Sequence, residues 1–271
     1  MLRMWSWNVN GLAVWDQFDA DLDLVLLQEA PAPPAGWPHL AVPDPGAEWA
    51  TAGWLPGRWS RRTAVVALSD HIEFTPRETT TVGNLDEVAV PVSRPGTLTT
   101  ADVHLDGETV TVVSVYGGWE RSADPRRVPY ADAAAHRLLS DLSSLITGPD
   151  DHRLIVAGDL NILHRYGEHG DAYWAGCYAS VFDRAEALGL VFVGPRAPHG
   201  RQADPRPVEL PADSPDMPTY HTARQGPAGA TRQLDFVFAS VSLADRIRVT
   251  ALNEPDAWGP SDHCRIAIDL G

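Results

Sequence analysis

Short apolar runs recur along the chain and predict β-strands. Each run has the length of a strand, is rich in Val, Ile and aromatic residues, and is bounded by turn-forming residues. The runs occupy residues 2–9, 22–29, 63–68, 108–117, 154–161, 233–240 and 264–270. Strands are therefore distributed over the whole chain.

Two longer segments repeat their apolar residues with the period of a helix. Residues 131–146 place six apolar side chains on one face, namely Ala135, Leu138, Leu139, Leu142, Leu145 and Ile146. Residues 178–190 show the same period and reach a helix-stop residue at Gly189. Strands that alternate with helices predict an α/β layered fold.

Pro and Gly are concentrated in residues 31–57 and 195–229, where neither period continues. We interpret both segments as long surface loops and not as domain linkers. A chain of 271 residues is long enough to bury one large core, and its two halves do not differ in composition. The sequence therefore predicts one domain over residues 1–271.

The chain is strongly acidic, with a formal net charge of -15 at pH 7. This charge argues against nonspecific binding to nucleic acid or to an anionic membrane, which takes clustered Lys and Arg. The arginines nevertheless come in groups: Arg58, Arg61 and Arg62; Arg121, Arg126 and Arg127; and Arg196, Arg201 and Arg206. The sequence therefore leaves open whether the otherwise acidic protein has local basic loops.

The two cysteines predict a reduced, cytoplasmic protein. Cys177 and Cys264 are far apart in the sequence and lack metal-ligand spacing, so we expect no disulfide framework. The first residues contain no secretory leader pattern, and no later run has the length needed to cross a bilayer. We expect no membrane contact, and the sequence leaves the oligomeric state open.

Polar side chains follow several of the predicted strands. Four strands end in or carry a carboxylate or amide, and a fifth segment brings an acid and a histidine just before the last strand. These residues are Asn8 and Asn10, Gln28 and Glu29, Asp159 and Asn161, Asp235, and Asp262 with His263. Because each strand end alone is a weak signal, it is their number that predicts one site at a sheet edge.

Such a set suits the hydrolysis of a phosphate ester. Carboxylates such as Glu29 and Asp262 are the hard oxygen ligands that Mg²⁺ or Mn²⁺ prefers. Asp159 can orient or deprotonate the attacking water, while the amides of Asn8 and Asn161 can donate to phosphate oxygens without adding negative charge. Asp235 beside His263 would fix the imidazole tautomer and favour its protonated form.

Five motifs resemble those of the endonuclease/exonuclease/phosphatase superfamily, which includes DNase I-like and exonuclease III-like nucleases as well as phosphodiesterases. The motifs are WNVNG, LLQE, GDLN, LDFVF and SDHC, in this order from Asn8 to His263. The resemblance implies a four-layer α/β sandwich, DNase I-like, with two packed central β-sheets flanked by helices. It also implies a phosphoesterase site that binds a divalent metal at one edge.

Site roles follow from the resemblance residue by residue. Glu29 is similar to the principal metal ligand, Asn8 to its neighbour on metal or phosphate, and Asp262 to a second metal ligand. Asp159 resembles the water-activating acid, Asn161 the amide that holds the phosphate, and Asp235 with His263 the Asp-His pair. We add Asn10 and Arg232 as phosphate-contacting residues.

Two positions depart from the superfamily's nuclease members. Tyr116 falls where exonuclease III-like members have a phosphate-contacting tyrosine, but Gly117 and Gly118 replace the usual proline segment. Arg232 stands where some abasic-site endonucleases have an aromatic residue that walls the deoxyribose pocket. The second departure weakens the prediction of an abasic-site substrate.

Other groups allow two interpretations. Trp37, Trp49, Trp54 and Trp59 would either stack on bases or simply bury area. His164, His169 and Asp171 would form a metal cluster or an ordinary surface loop. The stretch TYHTARQ, residues 219–225, would shape the substrate pocket or be an ordinary loop.

The sequence thus predicts a Mg²⁺- or Mn²⁺-dependent phosphodiesterase, a nuclease that cuts DNA or RNA. A phosphatase or phosphodiesterase for a small phosphate ester is the alternative, and the acidity of the chain favours it. A binding module that has lost catalysis is the third hypothesis, which the complete set of site residues opposes.

Overall fold

The computed structural model describes residues 1–34, 37, 40–41, 62–82, 89–120, 130–148 and 152–271. The strands are β1 Leu2–Asn8, β2 Leu24–Ala30, β3 Leu40–Ala41, β4 Arg62–Ala67, β5 Glu73–Arg77, β6 Thr79–Thr81, β7 Val90–Val92, β8 Leu98–Leu105, β9 Glu108–Tyr116, β10 Leu154–Asp159, β11 Leu190–Gly194, β12 Asp235–Ser240, β13 Ile247–Leu252 and β14 Arg265–Leu270. The α-helices are α1 Asp132–Leu142, α2 Ala172–Ala187 and α3 Val241–Ala244.

The strands form two mixed six-stranded sheets. The first has the order β13-β14-β1-β2-β4-β3, and the second has the order β11-β12-β10-β9-β8-β5. Strands β1 and β2 are parallel, as are β9 and β10, while the remaining pairs in these sheets are antiparallel. A separate parallel pair consists of β6 and β7.

The two sheets pack face to face around a buried apolar core. Alternate residues of β1, β2, β10 and β12 face this core, among them Met4, Leu26, Ile155 and Val237. The opposite side of the second sheet is covered by α1 and α2, through residues such as Leu138 and Val181. The predicted α/β sandwich with two packed central β-sheets is therefore confirmed.

The predicted sandwich has helices on the outer face of the first sheet, but the described residues that cover that face belong to irregular segments. In the described part of the chain, the irregular segment after β1 packs Val14 and Trp15 against this face. Trp37 contributes to the same layer, with its ring centroid 5.5 Å from that of Trp15. Trp37 thus buries area, whereas Trp49, Trp54 and Trp59 lie outside the described residues.

All seven predicted strands are present, and their ends shift by a few residues. The helix predicted over 131–146 ends at Leu142 and continues as a 3₁₀ turn over Ser143–Leu145. The helix predicted over 178–190 begins earlier, because the Asp171 side chain accepts hydrogen bonds from the N–H groups of Tyr173 and Trp174. It ends before Leu190, which opens β11.

The loop predicted over residues 195–229 contains no α-helix and no strand, and a 3₁₀ turn forms at Pro227–Gly229. It is not a surface loop throughout, because Met217 and Thr219 are fully buried. Most of the other predicted loop, residues 31–57, lies outside the described residues. Among the residues that the structure describes, no helix combines the length and apolar character needed to span a bilayer.

Candidate active site

The strand-end residues meet because the inward face of each central strand changes from apolar to polar towards one edge. Every second residue of a strand lies on the same face. Read towards that edge, the inward residues are Leu2, Met4, Ser6 and Asn8 in β1; Leu24, Leu26 and Gln28 in β2; Ile155, Ala157 and Asp159 in β10; and Ala239, Val237 and Asp235 in β12. Two sheets thus bring polar groups to one place.

Gln28 supports this edge from below. Its amide nitrogen donates to Ser114 Oγ at 2.9 Å, and Ser114 Oγ donates to the carbonyl of Leu27 at 2.7 Å. Since β2 and β9 belong to different sheets, these bonds tie the two sheets together directly beneath the site. Gln28 is a structural bridge.

Asp159 lies at the centre of the site and is 1% exposed. Its Oδ2 accepts from Asn8 Nδ2 at 2.9 Å and from Asn161 Nδ2 at 3.0 Å, and its Oδ1 accepts from the Asn161 N–H at 2.8 Å. An ionised carboxylate has about four acceptor positions. Three are filled by the protein, which leaves one on Oδ1.

Asn161 reaches Asp159 through a turn and not through continued strand geometry. Strand β10 ends at Asp159, and Asn161 has a φ of 53°, in the left-handed region that Asn adopts more readily than most residues. Its Nδ2 also donates to the carbonyl of Gly117 at 3.1 Å. The predicted convergence of Asp159 and Asn161 is present, with a tight turn as its cause.

Glu29 is aimed at the site by an irregularity in β2. The register between β2 and β4 shifts between Leu27 and Ala30, and Glu29 has a φ of 49°. Simple alternation would put Glu29 on the outer face together with Leu27, but a bulge re-aims a side chain. Glu29 Oε1 instead accepts from Asn8 Nδ2 at 3.1 Å.

Asn8 therefore holds two carboxylates with one amide. Its Nδ2 contacts Glu29 and Asp159, and its Oδ1 accepts from the Asn10 N–H at 2.9 Å. The amide orientation follows from these partners, since only the nitrogen can donate to a carboxylate. Asn10 lies on the surface beside it and has a φ of 46°.

Asp235 and His263 form the predicted pair. His263 Nδ1 lies 2.8 Å from Asp235 Oδ2, and both side chains are almost fully buried. The other ring nitrogen, Nε2, lies 3.8 Å from Asp159 Oδ2. Because Asp159 and Asp235 stand opposite each other on neighbouring strands, the imidazole lies close to two carboxylates that would otherwise repel.

The segment 219–221 positions this pair. Thr219 is fully buried, and its hydroxyl accepts from the N–H groups of Leu234 and Asp235 at 3.0 and 3.1 Å. Tyr220 pairs with His263, and their ring centroids are 5.0 Å apart. Thr219 and Tyr220 therefore position the Asp235–His263 pair, and a role of the loop 219–225 in shaping the substrate pocket stays a prediction.

The segment 261–263 is fixed to the first sheet by two bonds. Ser261 Oγ donates to the carbonyl of Asn8 at 2.7 Å, and Trp7 Nε1 donates to the carbonyl of His263 at 3.1 Å. Asp262 lies between these anchors and is half-buried. Burial raises the pKa of the neighbouring Tyr220 hydroxyl, and the negative charge of Asp262 acts in the same direction.

Burial and mutual repulsion control the ionisation of the central groups. Burial raises the pKa of Asp159, and the charges of Asp235 and Glu29 act in the same direction. Burial by itself would lower the pKa of His263, but the negative charges of Asp235 and Asp159 outweigh it and raise that pKa above its usual value. The imidazolium form of His263 is thus stabilised.

The donor set fits a divalent cation. Glu29 and Asp159 present carboxylate oxygens to the same amide nitrogen, and Asp235 and Asp262 add negative charge that one imidazolium does not balance. Hard cations prefer such oxygen ligands. Within the described residues, ligand atoms of Asp159, Asp235 and His263 also lie within 4.8 Å of one another, but the bond between His263 Nδ1 and Asp235 assigns those two groups to each other.

Glycines allow the strands to approach at this edge. A Cβ at Gly158 would lie 1.9 Å from the carbonyl oxygen of Val115, and a Cβ at Gly117 would lie 2.7 Å from that of Leu160. The Gly117 N–H donates to the carbonyl of Asp159 at 2.7 Å, a bond that proline cannot make. A proline at position 117 would therefore remove a bond that fixes the end of β9 to Asp159.

Tyr116 and Arg232 flank the centre. Tyr116 ends β9 in register with Asp159, on the side away from Asp235. Arg232 forms a bidentate pair with Glu168, with distances of 3.1 Å from Nη1 and 2.7 Å from Nη2. The sequence offered no signal for this partner, because Glu168 comes from a loop that follows β10.

Two further expectations are corrected. Arg62 is 1% exposed, so it does not offer a surface charge, while Arg58, Arg61, Arg121, Arg126 and Arg127 lie outside the described residues. His164 is buried and pairs with Asp216 at 2.8 Å, and Asp171 caps α2. The alternative of a metal cluster formed by His164, His169 and Asp171 is therefore wrong.

Sequence reasoning missed the residues that hold the site together. Thr219, Ser261 and Trp7 act through hydrogen bonds with backbone groups, which no spacing rule reveals. The available signal was position: Trp7 is the first residue of the motif WNVNG, Ser261 is the first of SDHC, and Thr219 opens the stretch TYHTARQ.

Known protein families include one that matches nearly the whole chain. Residues 5–263 match the sequence model described as the Endonuclease/Exonuclease/phosphatase family. A comparison with curated proteins gives no match.

Solved structures share the fold at low sequence identity. The catalytic domain of Xenopus laevis APE2 aligns with a TM-score of 0.65 and 16% identity over 99% of this chain and 91% of that one. The endonuclease domain of TRAS1, a telomere-specific non-LTR retrotransposon, aligns with a TM-score of 0.59 and 16% identity over 100% and 98% of the two chains. An AP endonuclease from Archaeoglobus fulgidus aligns with a TM-score of 0.58 and 16% identity over 100% and 99%.

Proposed function

The chain belongs to the endonuclease/exonuclease/phosphatase family of phosphate-ester hydrolases, and from this premise we propose that it is a Mg²⁺- or Mn²⁺-dependent nuclease. Its substrate is the phosphodiester backbone of DNA or RNA. The observation that carries the proposal is the buried Asp159, held by two asparagines between Glu29 on one side and the Asp235–His263 pair on the other.

Asp159 is the group that prepares the attacking water. Three N–H donors fix its carboxylate, and one acceptor position on Oδ1 remains for a water hydrogen. Burial raises its pKa, which makes the carboxylate a stronger base when it is ionised. A fixed carboxylate orients the water without a reorganisation step.

The His263 imidazolium supplies positive charge on the other side of Asp159. Asp235 holds its Nδ1 proton and thereby directs Nε2 towards the centre of the site. A phosphorane-like transition state gathers negative charge on its equatorial oxygens, and a preorganised N–H donor stabilises that charge. Asn161 is our candidate for a neutral donor to the same phosphate. Its Nδ2 donates to Asp159 and to the Gly117 carbonyl in this structure, so it would exchange one of these two bonds for the phosphate oxygen.

Glu29 would hold the metal, with Asn8 and Asp262 beside it. When bound, a divalent cation supplies a Lewis acid that offsets the charge of the phosphate and of the leaving oxygen. Asn8 orients the Glu29 carboxylate through its Nδ2 and so keeps a metal-ligating oxygen next to Asp159. Asn10, Tyr116 and Arg232 line the edge and are our candidates for contacts with the substrate backbone.

A small phosphate ester is the second candidate substrate. The observation that favours it is the net charge of -15, which repels a long polyanion more than a small ester. Catalytic loss is the weakest alternative, because the charged and amide groups above all keep their partners.

End-labelled DNA and RNA, each single- and double-stranded, would test the proposal in Mg²⁺, Mn²⁺ or EDTA. We expect cleavage that requires the metal and disappears in Asp159→Asn, which also controls for contaminating nucleases. The product ladder separates endonuclease from exonuclease action. Intact nucleic acids together with hydrolysis of a small ester such as bis(4-nitrophenyl) phosphate would replace the nuclease by the second candidate.

A further inference from the structure

Two exposed aromatic side chains lie in segments that the fold connects. Trp119 precedes Glu120, which pairs with Tyr130, and the Tyr130 ring stacks on that of Trp174, the neighbour of Tyr173. Among the described aromatic residues, Trp119 is 42% exposed and Tyr173 is 71% exposed, while the others are buried or half-buried. Exposed aromatic surface that is gathered in one region marks a place where something binds. The catalytic mechanism uses neither residue.

Tyr173 belongs to a layered cluster of rings. Tyr130, Trp174 and Tyr178 stack in sequence, with centroid distances of 6.3 and 6.0 Å and interplanar angles of 23° and 29°. Tyr173 packs edge-on against Trp174 at 5.3 Å. We call these four residues the aromatic cluster. Tyr178 at its inner end is 2% exposed, so the cluster is rooted in the core and opens outwards.

The aromatic cluster is rigidly attached to the protein. Asp171 caps α2 by accepting from the N–H groups of Tyr173 and Trp174. Gly167 lies so close that a Cβ there would be 3.0 Å from Trp174 Cβ. Tyr130 is fixed by backbone pairing with Glu120. Rings held in this way lose little conformational entropy when a ligand stacks on them.

The cluster is next to the catalytic edge. Gly117 is hydrogen-bonded to both Asp159 and Asn161. Trp119 is two residues further on, so its Cα lies within about 7 Å of the Gly117 Cα. Glu120 comes next and pairs with Tyr130 of the cluster. A substrate strand that leaves the scissile phosphate on this side would pass Trp119 and reach the cluster.

We propose that Trp119 and the aromatic cluster form a stacking surface for unpaired bases of the nucleic-acid substrate. The proposal rests on the nuclease function proposed above and narrows its substrate class to strands with unpaired bases beside the scissile phosphate. Aromatic side chains stack on bases that are splayed out of a helix, and such contacts tolerate any base.

The charges around the cluster support contact through bases and not through phosphates. Asp171 caps α2 at the cluster, and Glu168, whose charge acts on the Tyr178 hydroxyl, is paired with Arg232. Phosphate contacts take cationic groups, and Arg232 already shares its charge with Glu168, whereas a ring face binds a base without any cation. Stacking at this surface should therefore depend little on salt.

Fluorescence anisotropy of labelled oligonucleotides would test the proposal, in Mg²⁺ and in an Asp159→Asn background that prevents cleavage. Single strands and fully paired duplexes of one sequence are compared at two salt concentrations. The variants are Trp119→Ala, Tyr173→Ala, Tyr173→Leu and Tyr173→Phe, with Val208→Ala, at a fully exposed position, as the matched surface control. Hydrolysis of bis(4-nitrophenyl) phosphate, measured without the Asp159 change, monitors the catalytic groups.

We expect Trp119→Ala, Tyr173→Ala and Tyr173→Leu each to weaken single-strand binding about 5-fold or more, the range of base–aromatic stacking. Tyr173→Phe and Val208→Ala should bind as the parent does, the loss should be equal at both salt concentrations, and hydrolysis of the small ester should not change. Unchanged single-strand binding in all variants would overturn the inference while nuclease activity stands. A parent protein that hydrolyses the small ester but neither binds nor cuts nucleic acid would overturn the proposed function and this inference with it.

Discussion

Burial disfavours the ionised form of Asp159 and raises its pKa, and the residues around it determine how strongly. Its two asparagine partners donate three hydrogen bonds, and His263 lies 3.8 Å away. Buried charges are stable only when they are hydrogen-bonded and paired. The chemistry of the site therefore depends on single side-chain contacts, each of which one substitution can remove.

Asp159→Asn tests the water-activating role. The substitution keeps the size of the side chain and removes its negative charge, so we expect the turnover number to fall by about 10²- to 10⁴-fold, the contribution of a positioned base. A thermal melt should show a folded protein with a similar midpoint. Turnover within a factor of three of the wild type would assign the role to another residue.

Thr219 supports the site through its side-chain hydroxyl, and one substitution tests that role. Thr219→Val keeps the shape but leaves the N–H groups of Leu234 and Asp235 without an acceptor in a buried position. We expect the free energy of unfolding to fall by about 1–3 kcal/mol. Urea unfolding measures this free energy. Thr219→Ser keeps the hydroxyl, so its free energy of unfolding should fall clearly less than that of Thr219→Val.

At the scale of elements, the site depends on how closely β9 and β10 approach. Gly158 is paired with Val115 between these strands, and a Cβ would lie 1.9 Å from the Val115 carbonyl oxygen. The next residue is Asp159, so a displacement of β10 at this point moves the catalytic carboxylate. Glycine in the GDLN motif is therefore a packing requirement of the sheet.

Gly158→Ala should consequently lower both stability and turnover. Overpacking in a well-packed core costs about 1–3 kcal/mol, and a shift of Asp159 adds a loss of activity. Gly176→Ala is the matched control: this residue is in α2 with nothing within 4 Å of its added Cβ, and alanine should stabilise the helix by about 0.5–1 kcal/mol. Thermal and urea unfolding show whether each substitution raises or lowers the free energy of unfolding. Equal effects of the two substitutions would refute the packing argument.

The elements also show why some structure was predictable from sequence and some was not. The central strands β1, β2, β9, β10, β12 and β14 are apolar runs with turn residues at their ends, so periodicity finds them. Strand β8 is the partner of β9, but its sequence LTTADVHL mixes Thr, Asp and His with only a few apolar residues. Its strand conformation comes from pairing on both sides, which is a tertiary effect.

The same distinction holds for the site. Asn8, Asp159, Asp235 and His263 are recognisable from strand ends and motif order, and the structure brings their side chains together. The direction of the Glu29 side chain was not predictable, because it depends on a bulge in β2 and on a positive φ. The contacts of Thr219, Trp7 and Ser261 join segments that are distant in sequence.

At the scale of the whole molecule, negative charge dominates both the surface and the site. The chain carries a net charge of -15, and Glu29, Asp159, Asp235 and Asp262 add four carboxylates at one edge against the single imidazolium of His263. Like charges this close repel each other and raise the free energy of the folded state. A bound divalent cation would relieve that repulsion, so metal binding and folding stability should be linked.

We therefore expect Mg²⁺ and Mn²⁺ to raise the melting temperature of the wild-type protein. A ligand at about 100 times its dissociation constant stabilises the folded state by about 2.7 kcal/mol. Glu29→Gln removes one charge and a metal-ligating oxygen, so its metal-free form should melt at an equal or higher temperature while the increase caused by the metal shrinks. Asp21→Asn, at an exposed position outside the site, controls for the general loss of a carboxylate and should keep the full increase. Differential scanning calorimetry over a range of metal concentrations measures both quantities, and an identical metal response in Glu29→Gln would remove Glu29 from the metal site.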